Sequence, residues 1–179
     1  MTHRVVLGLL LFTLLVPHRS YAQSAPRIRV LDPGLKELFD HGIGQSPTFR
    51  ALVENVDATP ILVFVEADIR MPARIGARLS FVTSVNGLRY VRVHVDCTLS
   101  ARRQIALLAH ELQHALEIGE RTDILDVEAM ESLYEDIGFE SLDAGSHKSF
   151  ETEAALSVQR TVDEEMGMRH ARTTGTVTY

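Results

Sequence analysis

Apolar positions recur along this chain with two periods, and each period marks out its own elements. Residues 61–65, Ile-Leu-Val-Phe-Val, form an unbroken apolar and β-branched run. Such a run predicts a central strand buried on both faces. Residues 73–85 and 88–96 flank Asn86-Gly87, a strong hairpin signal. In the second arm Val91, Val93 and Val95 alternate with Tyr90, Arg92, His94 and Asp96, which predicts one apolar and one polar face. The hairpin should lie on the following helix, with the polar face of one strand near a cleft. A strand edge exposed there could take an extended peptide by β-augmentation.

The period then changes to 3.6. Ile105, Leu108, Ala109, Leu112, Ala115 and Leu116 make one stripe of a helix that Ser100 caps, that reaches residue 118 and that Gly119 stops. Upstream, residues 28–31 read as a short strand or extended leader. Residues 35–41 read as a short helix stopped by Gly42 and Gly44. Ser46-Pro47 opens a helix over residues 47–56. Downstream, Thr122 or Asp123 caps a helix to residue 137, and residues 139–146 form a loop. A last helix covers residues 147–166 and leaves a polar, frayed tail at 167–179. The expected fold is therefore a small α+β domain: a three- to four-stranded sheet with a hairpin, packed on the helix of residues 101–118, and a C-terminal helix. No repeat, low-complexity segment or linker divides residues 23–166.

Beside the apolar stripe of the central helix stands His110-Glu111-Leu112-Gln113-His114, an H-E-x-x-H sequence. Histidines four residues apart share a helix face and can grip one Zn²⁺ at about 2.0–2.1 Å. The Glu111 carboxylate beside the first can then take a proton from a zinc-activated water. This is the chemistry of zinc hydrolases, most often of peptide bonds. A catalytic zinc usually has a third protein ligand. The metzincin extension requires Gly at 117 and His at 120, where this chain has Glu117 and Glu120. Glutamates downstream remain, among them Glu128, Glu151 and Glu153.

The segment Phe150-Glu151-Thr152-Glu153-Ala154-Ala155 resembles the E-x-E-A glutamate helix of the HtpX-like and CAAX-processing gluzincins, and of the soluble minigluzincins. The resemblance covers roughly residues 61–166. It implies a zincin-like domain, ligands His110, His114 and Glu151, Glu111 as general base, and peptide or protein substrates. The families carry Asp four residues after the ligand Glu, where this chain has Ala155, which removes a possible hydrogen-bond partner behind the ligands. Small Ala154 and Ala155 would let the glutamate helix pack closely on the H-E-x-x-H helix. An oxyanion donor is also needed; His147 is the first candidate, with Tyr134 and Tyr90 behind it.

Composition narrows the setting. The 179 residues are 45% hydrophobic, which suits one domain with a real core. Residues 1–22 combine Arg4, an apolar run and Ser20-Tyr21-Ala22, and so read as a signal peptide. The mature chain, from Gln23, is then periplasmic or secreted, with no stable membrane span. The net charge is −6, and removing residues 1–22 takes away Arg4 and Arg19 but no acid. Nucleic acid is not an expected partner on that balance. Cys97 is the only cysteine, so no internal disulfide can form. It is expected to be a small buried apolar residue, with zinc ligation and latency as the alternative. The rival to a hydrolase is an exported zinc-binding or scaffold protein with a relict H-E-x-x-H site. Oligomeric state and substrate identity are not encoded in any recognisable pattern.

Overall fold

The computed structural model describes residues 25–72, 75–140 and 150–174. In chain order the elements are β1 (Ile28–Val30), α1 (Pro33–Gln45), α2 (Pro47–Asp57), β2 (Ile61–Asp68), β3 (Ala77–Val85) and β4 (Leu88–Asp96). They continue with α3 (Ala101–Gly119), α4 (Val127–Ile137), β5 (Phe139–Glu140), β6 (Phe150–Glu151) and α5 (Glu153–Thr174). This is an α+β fold with a four-stranded mixed sheet in the order β1-β2-β4-β3. β2 is parallel to both β1 and β4, and β3 closes the sheet as the antiparallel arm of a hairpin. Asn86 (φ 52°) and Gly87 (φ 76°) both adopt the left-handed conformation at the hairpin turn, as its right-handed twist demands.

Strand alternation decides which face meets the helices. Val91, Val93 and Val95 are completely buried in one core with Ile105, Leu108 and Leu112 of α3. Tyr90, Arg92 and His94 therefore project from the opposite face. There Glu66 takes Arg92 at 3.1 Å and His94 at 3.5 Å. The polar face of β4 is thus turned away from α3. The apolar stripe of α3 needs the valine face to bury it, and each fully buried Leu or Ile contributes about 1.5–3 kcal/mol.

α1 runs through Gly42 and Gly44, the expected stops. Gly42 is there for packing: a Cβ would lie 3.0 Å from Ile105 Cγ2 and 3.1 Å from Phe49 Cδ1. The helix ends at Ser46, which is extended (φ −109°, ψ 113°) because Pro47 disfavours the helical conformation before it. Ser46 Oγ then caps α2 by accepting from the Phe49 N–H at 2.9 Å. Glu165 of α5 reaches the same helix start. It accepts from Ser46 Oγ, from Thr48 Oγ1 at 2.8 Å and from Thr48 N at 3.2 Å, so a carboxylate sits where the helix dipole favours it.

Gly119 also departs from expectation. It is the last helical residue of α3, and the cap is Glu120, right-handed at φ −74°. A Cβ on Gly119 would come 2.5 Å from Thr59 Oγ1, so the glycine allows close approach rather than a left-handed turn. The final carbonyls of α3 are satisfied by the buried Arg89 guanidinium, 2.5 Å from Gly119 O and 3.5 Å from Ile118 O. α4 is capped by Asp126, which accepts from Ala129 N at 2.8 Å, and not by Thr122 or Asp123. Asp123 is held by Arg121 instead.

The largest difference lies at the C-terminal side. β5 and β6 form a small antiparallel ribbon, pairing Phe139 with Glu151 and Glu140 with Phe150. α5 starts only at Glu153 and continues to Thr174, into the stretch expected to fray. Glu151 thus stands on a strand just before the helix, not on a glutamate helix. α5 packs along α3 and buries Ala155, Val162 and Met166 against the core, whereas Ala154 is exposed. The expected helix start at residue 147 and the signal peptide at residues 1–22 lie outside the described residues. Among the described residues no helix is long and apolar enough to cross a membrane.

Candidate metal centre

The centre is built on α3, which is covered by the sheet on one side and by α2 and α5 on others. Enclosure from several directions buries the H-E-x-x-H side chains more deeply than an amphipathic helix edge would. His110, Glu111 and His114 are 6%, 7% and 6% exposed. One helical turn separates the imidazoles, and their Nε2 atoms are 3.1 Å apart. The β6 strand brings Glu151 to them from 37 residues beyond His114, with Oε2 2.9 Å from His110 Nε2.

His110, His114 and Glu151 form a cluster able to hold a metal ion, each offering one ligand atom within 4.8 Å of the others. Tetrahedral coordination at about 2.0–2.1 Å separates ligand atoms by roughly 3.3 Å. The two short separations observed lie near that value. Oε2 of Glu151 is buried and lies 2.9 Å from His110 Nε2. Three carboxylates (Glu111, Glu117 and Glu151) surround two imidazoles in this buried space, a balance that favours a cation.

The titration directions follow from the same crowding. Burial raises the Glu111 pKa above the ordinary carboxylate value, against the lowering effect of both histidines and of the Leu79 backbone N–H that faces it. Burial would lower the pKa of His110, but the Glu151 contact and the charges of Glu111, Glu151 and Glu117 together leave it raised. Burial would raise that of Glu151, but His110 and His114 more than offset it, and the net shift is downward.

A second layer of contacts orients His114. Its Nδ1 lies 2.9 Å from Glu117 Oε2. Its ring meets Tyr134 edge-on, with centroids 5.2 Å apart, and the Tyr134 hydroxyl donates to the His114 carbonyl at 3.1 Å. Tyr134 stacks in turn on Phe150, the residue before Glu151. Burial raises the Tyr134 pKa well above the ordinary phenol value.

The other candidates fall elsewhere. Glu153 and Glu128 are exposed and outside the cluster. Cys97 is a half-buried free thiol after β4, also outside it. Of the oxyanion candidates, Tyr134 is bonded to the His114 carbonyl, Tyr90 is on the outer sheet face, and His147 lies outside the described residues. Sequence reasoning missed Glu117 and Thr152 as partners of the site. The Glu at i+3 from His114 was a usable signal, since residues three apart meet on a helix face. No family model, curated protein or solved structure matches the chain.

Proposed function

We propose that this protein is an exported zinc-dependent hydrolase that cleaves peptide bonds. The observation that carries the reading is the convergence of His110, His114 and Glu151 with a buried Glu111 beside them. His110, His114 and Glu151 would hold the ion. When bound, zinc supplies a Lewis acid that acidifies a water and polarises a carbonyl oxygen. Glu111 accepts the proton as water attacks and passes it to the leaving amine. Its position next to the first histidine on the same helix suits that task, because a general base must stand within reach of the proton it takes. β3 supports a peptide substrate: it is a terminal strand of the sheet, and its Leu79 backbone faces Glu111. An extended peptide added along that edge would pass the catalytic carboxylate.

The rival is a non-catalytic zinc site, and the deep burial of Glu111 favours it, since a closed site excludes substrate. One experiment separates them. Zinc content, melting temperature and chelator-sensitive cleavage of a mixed peptide library are measured for wild type, Glu111→Gln and Glu151→Ala. A hydrolase keeps zinc and melting temperature in Glu111→Gln but loses turnover by roughly 10²–10⁴-fold, the usual worth of a general base. Glu151→Ala loses zinc affinity itself. Full zinc occupancy without chelator-sensitive cleavage, and with Glu111→Gln equal to wild type, would establish the scaffold reading.

A further inference from the structure

Glu117 stands almost one turn beyond His114 on α3, with its side chain 10% exposed. Its carboxylate faces three donors: His114 Nδ1 at 2.9 Å, Thr152 Oγ1 at 2.8 Å and Gln113 Nε2 at 3.4 Å. An ionised carboxylate only accepts hydrogen bonds. His114 Nδ1 is thus the ring nitrogen placed to donate to Glu117, and Nε2 is the one turned to the cluster, 3.1 Å from His110 Nε2. His110 has no such restraint, because its Nδ1 is buried without a partner.

Thr152 closes the other side. It follows Glu151 in the chain and is 3% exposed. Its hydroxyl proton goes to Glu117. Its oxygen accepts from the Ala155 N–H at 3.1 Å, as the N-cap residue of a helix does. One hydroxyl thus ends β6, starts α5 and fastens that junction to α3. The Asp that the resembled families place at 155 is absent here, and Ala155 is wholly buried.

Resting on the metal-site reading above, we propose that Glu117 is a positioning residue. Together with Thr152 it holds two ligands from distant segments, His114 and Glu151, in register for the ion. Glu117 does this without touching the ion. It sets the tautomer and ring plane of His114 by one oxygen, and with the other anchors the residue next to Glu151. Partners of this kind, behind a ligand, are typically worth about 10–100-fold in metal affinity.

The test measures zinc affinity by competition with a chromophoric chelator, and the His114 tautomer by ¹⁵N NMR of the metal-free protein. Glu117→Ala is expected to weaken zinc about 10–100-fold and to move His114 from the Nδ1–H towards the Nε2–H tautomer. Thr152→Val is expected to weaken zinc while leaving the tautomer in place, and Thr152→Ser to restore wild-type affinity. The double variant is expected to lose less than the sum, since both residues act through one carboxylate. Wild-type affinity and tautomer in Glu117→Ala would overturn the proposal, as would a loss of metal-free stability with no change in affinity. Should Glu117→Ala not fold, Glu117→Gln decides: it offers one neutral acceptor oxygen to two donors, and unchanged affinity would count against positioning. His114→Ala distinguishes the two levels of failure. If it binds zinc as wild type does, the metal site itself is wrong; if it loses zinc while Glu117→Ala does not, only the positioning role falls.

Discussion

His110, Glu111 and His114 stand on a nineteen-residue helix enclosed by the sheet, α2 and α5. Glu151 stands on a two-residue strand, with its side chain 25% exposed. The first three are held in place by the whole hydrophobic core, through Ile105, Leu108 and Leu112 beneath them. The fourth is held by a few specific contacts: the β5–β6 pairing, Thr152 on Glu117, and a close approach over Gly138. The backbone that presents the three α3 residues should thus shift only when the fold fails. The β6 side can fail alone, leaving a folded protein with a weakened site.

The largest effect expected is from the α3 side. Leu112 lies within the H-E-x-x-H pentapeptide but points into the core, where it is fully buried. Leu112→Ala should cost about 2–5 kcal/mol, the range for a buried Leu replaced by Ala. Denaturant unfolding of the metal-free protein would read this directly. A loss of zinc affinity without a loss of stability would show that the core does not hold the α3 residues in place.

Gly138→Ala sharpens the other side. A Cβ there would come 2.7 Å from the Glu151 carbonyl oxygen and 2.9 Å from that of Tyr134. Both are backbone atoms, so β6 must shift. Overpacking of this kind costs about 1–3 kcal/mol. The expected signature is a modest loss of stability with a disproportionate loss of zinc affinity, read by unfolding and chelator competition on the same preparation. Equal affinity in the variant would show that Glu151 is not held by this approach.

The smallest effect concerns the clamp joining the two sides at the far end of α3. Arg102 Nε meets Asp163 Oδ1 at 2.8 Å, which ties the first turn of α3 to α5. The Arg102 hydrogen bond is the main cause that lowers the Asp163 pKa below the ordinary carboxylate value, against burial. A carboxylate with a depressed folded pKa adds stability that is complete above its unfolded pKa, about 3.9, and that is lost as pH falls through the folded value. Asp163→Asn should therefore flatten part of the acid limb of the stability curve below about pH 4, by little because exposed pairs are screened. The same variant should leave zinc affinity near neutral pH unchanged. Acid titrations of both proteins, monitored by circular dichroism, would check it.

What could be read in advance was whatever depends on near neighbours in the chain. The i, i+4 spacing of His110 and His114 places two imidazoles on one face wherever the helix lies, and Ser100 and Ser46 cap their helices by bonds within three residues. The Asn86-Gly87 turn and the buried run from Ile61 were legible for the same reason. Glu151 was selected by resemblance, but on the wrong element. Its strand exists only because Phe139 and Glu140 pair with it across an intervening segment. Gly42 and Gly119 were read as helix ends, since glycine is flexible by itself. Their purpose is set by Ile105 and Phe49 in one case and by Thr59 in the other. Which face of β4 meets α3, what Arg89 caps and what Glu117 restrains are likewise properties of segments brought together by folding. Local spacing determines which side chains a helix presents together. Only packing decides what stands opposite them, because the apolar faces must be buried before any distant carboxylate finds its partner.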